Sequence, residues 1–116
     1  KKKKIENAEM INGVSIVTDV YTNENIKYIS KLAGKLVEGD NVVSLNAIKE
    51  GEKVNFIFAA SKNLKNLNMN DLLKDSIKLV DGRGGGSPIL AQGGGKDQKM
   101  LKEIIEHVEK VLRNEE

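Results

Sequence analysis

The run Gly82-Arg83-Gly84-Gly85-Gly86-Ser87-Pro88-Ile89-Leu90-Ala91-Gln92-Gly93-Gly94-Gly95-Lys96-Asp97 gathers most of the chain's 11 glycines around one short apolar segment. A glycine loop that leads into a helix presents backbone N–H groups at the positive end of the helix dipole, an arrangement that attracts phosphate. Gly93, Gly94 and Gly95, just before Asp97, are placed for that role. Arg83 and Lys96 bracket the run and can add charge-assisted bonds to phosphate oxygens, with Lys99 a third cation close behind. Gln92 offers both an amide donor and an acceptor to a base edge or a ribose hydroxyl. A second reading stays open on spacing alone: the glycines allow a tight crossing between helix, strand and helix, since glycine serves turns more often than ligands.

Other chemistry is hard to assemble from these residues. There is no Cys and a single His, His107, so thiol nucleophiles, disulfides and Cys-ligated zinc are absent. His107 lies within a helical pattern and reads as a surface or boundary residue. Ser87 lacks both the Gly-x-Ser-x-Gly elbow and a neighbouring base. Gly82-Arg83-Gly84 follows a helix, and no Gly-Lys-Ser/Thr ending exists, so neither the dinucleotide fingerprint nor the P-loop fits. Asp40, Asp71, Asp75, Asp81 and Asp97 read as caps and turn residues. With 19 basic and 17 acidic side chains the net charge is +2, so nucleic-acid binding would have to come from a local patch. No stretch approaches the roughly 20 apolar residues of a membrane span, and a cytoplasmic location is expected. The chain starts without Met, as a piece cut from a longer protein would.

The elements that must position the run follow from periodicity. Val14–Tyr21 alternates as a strand. Thr22 or Asn23 caps a helix whose face is Ile26, Ile29, Ala33, Leu36 and Val37, with Gly39 as a left-handed stop. Val42–Lys49 and Lys53–Ala60 form a hairpin around Glu50-Gly51-Glu52. Ser61–Asn70 reads as a connecting loop, and Asn70 or Asp71 starts a helix carrying Leu73, Ile77 and Val80. Ile89–Gln92 is a short strand. A final helix from Asp97 to Arg113 places Leu101, Ile104, Ile105, Val108, Val111 and Leu112 on one stripe. The expected fold is therefore α/β: a mixed sheet of about four strands, helices packed against it, and a helix at the C-terminal end. Tyr21 and Tyr28 could stack on a base, but with aromatic content only 3% core or boundary positions are expected for each.

The order of the two glycine runs, Ser87-Pro88 and Ala91-Gln92, resembles the signature of the DHH-associated domain, in the version that closes bacterial alanyl-tRNA synthetases. The resemblance covers essentially the whole chain, with residues 13–116 as a single globular domain and 1–12 as the end of an upstream helical segment. It implies a non-catalytic module that binds the elbow of the tRNA for alanine and helps couple aminoacylation with editing. The implied tRNA contacts are Arg83, Gly84, Gly85, Gly86, Ser87, Pro88, Gln92, Gly93, Gly94, Gly95, Lys96 and Lys99. No cofactor is implied for the module itself; ATP, Mg and Zn belong to upstream aminoacylation and editing domains, which would also be its partners within the same chain. In that family a helical portion before the module can contribute to a homodimer. One departure is that the family commonly carries Arg where this chain has Ser87, which removes a strong phosphate contact there. The alternative is the same module in DHH-family phosphoesterases, where it holds a nucleic-acid or nucleotide substrate for a metal-dependent catalytic domain. Those relatives usually show a His after the glycine pair, where this chain has Ser87-Pro88. A third reading is a protein-interaction module whose glycines are purely architectural.

Overall fold

A computed structural model of the chain describes residues 8–80, 82–96 and 101–113. Within it, Glu9–Ile11 (β1) pairs antiparallel with Val14–Thr22 (β2) across a tight turn at Asn12-Gly13. Both turn residues have positive φ, 51° and 81°, the conformation that an Asn-Gly hairpin turn needs and that this dipeptide adopts at little cost. The helical segment expected over 1–12 is thus a strand at Glu9–Ile11, because Asn12-Gly13 folds the chain back onto β2; residues 1–7 lie outside the described residues.

Helix α1, Ile26–Leu36, begins at Asn25, whose side chain accepts a hydrogen bond from the Tyr28 N–H at 3.1 Å. The cap therefore sits two residues beyond Asn23, which instead takes a positive φ of 54° in the approach to the helix. Beyond the helix the left-handed position is Asn41 (φ 61°), not Gly39. Strands β3 (Val42–Glu50) and β4 (Lys53–Ala60) form the expected hairpin, with Gly51 at φ 60° in its two-residue turn. Helix α2, Met69–Ser76, is capped by the Asn68 side chain, which accepts from the Asp71 N–H at 3.1 Å, and continues as a 3₁₀ turn through Ile77–Val80. Then come β5 (Arg83–Gly86), β6 (Leu90–Gly95) and α3 (Leu101–Leu112).

The strands form one six-stranded sheet in the order β1-β2-β3-β4-β6-β5. Only β2 and β3 run parallel, and that pairing needs a crossover, which α1 supplies. The architecture is the expected mixed α/β sheet with a C-terminal helix; β1 and β5 are the strands beyond the four anticipated.

Helices cover both faces. On one, α2 and α3 bring Leu73, Ile104 and Val108 against Val43, Leu45, Phe56 and Phe58, all with no or almost no exposed surface. Phe56 and Phe58, two residues apart and so on the same face, meet edge to face with ring centroids 6.1 Å apart. On the other, Ile29 and Ala33 of α1 pack on Ile48, Ile57 and Ala59. Burial on both faces explains why β3 is enclosed almost without interruption from Val42 to Ile48. Because α1 rests on β3 and β4, it leaves the adjoining face of β6 and β5 uncovered, where Leu90 and Gln92 are exposed.

Candidate nucleic-acid interface

The glycine run folds into a hairpin. Arg83–Gly86 is the edge strand β5, and β6 lies between β5 and β4, with Gly93 opposite Phe56 on one side and Gly84 on the other. Gly93 and Gly94 are therefore strand residues paired on both sides, Gly95 pairs with Val54 on the β4 side, and the expected cradle of free N–H groups in a loop does not form. The apolar segment Ile89–Gln92 extends into the second glycine cluster because glycine permits strand pairing on both sides.

The chain's own backbone accounts for the glycines. A Cβ on Gly84 would lie 2.5 Å from the Gln92 carbonyl oxygen and against the Gly93 Cα, and one on Gly93 would lie 2.6 Å from the Arg83 carbonyl oxygen. Neither neighbour can move without opening the β5–β6 ladder. Gly85 differs: a Cβ there would meet only side-chain atoms, Asn70 Oδ1 at 3.0 Å and Lys74 Cε at 3.2 Å.

The turn of this hairpin is held from within and from outside. Ser87 N–H donates to the Leu90 carbonyl at 2.9 Å, while Ser87 Oγ accepts from the N–H groups of Leu90 (3.1 Å) and Ile89 (3.3 Å). Ser87 thus closes its own turn. The Pro88 carbonyl accepts from Met69 N–H at 2.8 Å, satisfying a donor that the first turn of α2 would leave unpaired. Gly86 N–H donates to Asn70 Oδ1 at 3.0 Å and Ala60 N–H to the Ile89 carbonyl at 2.9 Å, so the turn is tied to both α2 and β4.

The expected contact residues separate into two groups. Arg83 stands opposite Gly94, and Lys96 directly follows β6, so both exposed cations lie at the open end of the hairpin. Gln92, exposed and opposite Gly85, lies two pairs further in, on the face that α1 leaves bare. Ser87 and Pro88 are at the other end, about 13 Å from Arg83 at strand spacing. Lys99 lies outside the described residues. From Gly82 to Lys96 the sequence contains no acidic residue, so the hairpin is a local basic patch on a nearly neutral chain. The structure adds Lys74, exposed on α2, whose Cε lies over Gly85 at the sheet edge. Its only sequence signal was a place on the polar face of a helix.

The other candidates stay structural. His107 Nε2 lies 3.4 Å from Asp75 Oδ2, joining α3 to α2, and Asp75 also pairs with Lys78 at 3.5 Å. Tyr21 packs half-buried against the α1 cluster, but Tyr28 is 54% exposed, contrary to a core or boundary role. Among the described residues no three His, Cys, Asp or Glu side chains come together as a metal site, and no helix is long and apolar enough to cross a membrane.

The model of the DHHA1 domain matches residues 13–114 of the 116. The chain belongs to the DHHA1 domain family. A relative is the alanine–tRNA ligase of Alkaliphilus oremlandii, 30% identical over 115 residues, which cover 96% of this chain and 13% of that protein. The chain thus spans about an eighth of that relative's length. Among solved structures, the C-Ala domain from Aquifex aeolicus alanyl-tRNA synthetase superposes with a TM-score of 0.85 at 26% identity, covering 90% of this DHHA1 chain and 96% of that one. A DHH domain structure described as a member of the s1p family of ribosomal proteins matches with a TM-score of 0.66 at 16% identity, covering 96% of this chain and 29% of that one, a likeness of fold alone.

Proposed function

We propose that this DHHA1 domain is the tRNA-binding C-terminal module of a cytoplasmic alanyl-tRNA synthetase, without catalysis of its own. The observation that carries the reading is the likeness to the C-Ala domain across almost the whole of both chains, joined to a hairpin with two exposed cations and no acidic residue. Arg83 and Lys96 contact phosphates of the tRNA elbow, with Lys99 a further phosphate contact; Lys74 extends the positive edge formed by Arg83 and Lys96, and Gln92 supplies a directional hydrogen bond. Gly84, Gly85, Gly86, Gly93, Gly94 and Gly95 keep this edge free of side chains, so an RNA backbone can come close. Ser87 and Pro88 shape the turn beside it. By holding the elbow, the module helps the tRNA pass between upstream aminoacylation and editing domains, where ATP, Mg and Zn do their work.

The test is a titration of this chain with tRNA for alanine, with a minihelix lacking the elbow and with single-stranded DNA, each across a range of salt. Full tRNA should bind tightest, and Arg83→Ala with Lys96→Ala should lower the salt slope by about 0.9 for each phosphate that is no longer neutralised. Equal affinity for tRNA and minihelix would refute elbow recognition. Preferential binding of single-stranded DNA would favour the phosphoesterase reading instead.

A further inference from the structure

On the opposite side of α1 from the hairpin lies a cavity of about 100 Å³ between α1, β2 and β3. Leu32 and Leu36 form its helix wall and Asp19 and Tyr21 its β2 wall, while Ser44 and Asn46 of β3 line its base. Those last two are 1% and 3% exposed, rare burial for polar side chains. Asn46 Nδ2 donates to Ser44 Oγ at 2.9 Å and to the Ile57 carbonyl at 3.1 Å, which uses both amide protons. Asn46 Oδ1 is left with no protein partner among the described residues, and Ser44 keeps a proton to donate. Asn46 Oδ1 is not sealed off from solvent, so an acceptor and a donor stand ready on the floor for whatever enters the cavity.

A second observation lies on the rim. Between Asn25 and Val37 the chain has no acidic residue, and Lys27, Lys31 and Lys35 recur at every fourth position, all exposed, about 6 Å apart along α1. The row ends at Lys35, which lines the cavity. Tyr28, 54% exposed, stands one turn before Leu32, so an open aromatic ring neighbours the cavity mouth. Cations in a row beside an exposed ring suit a single strand, whose backbone follows the charge while its bases stack.

We infer that α1 binds a single-stranded RNA segment, one unstacked base of which enters the α1–β2–β3 cavity edge first. A base edge sets an N–H beside a carbonyl or ring nitrogen. The N–H meets Asn46 Oδ1 and the acceptor meets the Ser44 hydroxyl, while Leu32 and Leu36 cover the ring. A cavity this size takes the leading edge of one ring, given that an apolar cavity of about 150 Å³ encloses a benzene. This inference rests on the RNA-binding part of the function proposed above, at residues separate from Arg83 and Lys96.

The probes are three RNA hexamers: uridine, 3-methyluridine, which keeps the ring but lacks the N3–H, and abasic ribose. Hexauridine should bind about tenfold tighter than its methylated form, the effect of one unanswered hydrogen bond. Leu32→Trp, at a position already partly exposed, should erase that difference without lowering the thermal midpoint. Lys27→Ala, Lys31→Ala and Lys35→Ala together should weaken all three hexamers and lower the salt slope by about 2, at about 0.7 per neutralised single-strand phosphate. In wild-type protein, the Asn46 side-chain amide resonances should shift with hexauridine and not with the abasic hexamer. Equal binding of uridine and 3-methyluridine hexamers, or a preference that survives Leu32→Trp, would overturn the cavity assignment. If that happened while tRNA binding still depended on Arg83 and Lys96, this inference would fail alone. If tRNA and minihelix bound equally while the uridine preference held, the elbow proposal would fail alone.

Discussion

Replacing Gly84 and Gly85 in turn by Ala separates an architectural glycine run from a ligand cradle, because the two positions meet different neighbours. At Gly84 a Cβ would fall 2.5 Å from the Gln92 carbonyl oxygen, about 0.9 Å short of the 3.4 Å where ordinary contact begins. The obstructing atoms are backbone, so relief means opening the β5–β6 pairing. Overpacking of this kind costs about 1–3 kcal/mol, and breaking a ladder hydrogen bond with it costs about 1 kcal/mol more. Against this, Ala restricts the unfolded chain and returns about 0.4–1 kcal/mol. The balance is a loss of about 2 kcal/mol for Gly84→Ala. At about 2.1 cal/mol/K per residue, the unfolding entropy of 116 residues is about 0.24 kcal/mol/K, so the midpoint should fall by about 8 °C. At Gly85 the neighbours are side-chain ends: Lys74 can swing aside, and Asn70 Oδ1, held by the Gly86 N–H, has to give by only a few tenths of an ångström, so even loss of that one hydrogen bond, about 1 kcal/mol, limits the fall to about 4 °C. Thermal unfolding followed by far-ultraviolet circular dichroism measures both. A Gly84→Ala protein as stable as wild type, or equal losses at the two positions, would refute the reasoning.

Two further outcomes bear on stability. Partial burial and the facing Glu9 carboxylate raise the pKa of Glu109 above the ordinary carboxylate value, against the pull of Arg113 and with a smaller push from Glu106. The folded state then holds a proton that the unfolded state has released, so stability falls as pH rises from the ordinary carboxylate range through the raised value. Glu109→Gln should raise the melting temperature at neutral pH, with the gain shrinking as the solution is acidified; a gain independent of pH would exclude this origin. Asn68→Ala removes the α2 cap and should cost about 1 kcal/mol, or about 4 °C, read by the same melting experiment. An unchanged midpoint would mean that the Asp71 N–H finds another acceptor.

Much of the fold was legible because local patterns agree with it. The β3–β4 hairpin, the apolar stripe of α3 and the face of α1 are set by side-chain periods that tertiary packing only had to accept. The Asn12-Gly13 dipeptide favours a hairpin, but 1–12 reads as the end of a helical segment until β2 is seen to offer β1 a partner, so this strand was not anticipated. Nor was strand β5: Arg-Gly-Gly-Gly has no strand propensity, and it becomes a strand because β6 offers a ladder that glycine alone can approach so closely. The basic row on α1 was written in the sequence every fourth residue, but it reads as an ordinary solvated helix face until the structure places it beside a cavity.

The sequence by itself determined the alternation of strands and helices, the order of the glycine motif and the absence of thiol or multi-histidine chemistry. Those depend on residue identity and short-range spacing. Tertiary structure alone decided that the second glycine cluster lies between two strands instead of cradling an anion. It also decided that Ser87 spends its hydroxyl on its own turn, and that Lys74 joins Arg83 and Lys96 near one sheet edge. Ser44 and Asn46 become a polar floor only when α1 crosses over β3. Each of these is a relation between segments far apart in the chain, fixed by which faces had to be buried, and no local pattern carries it.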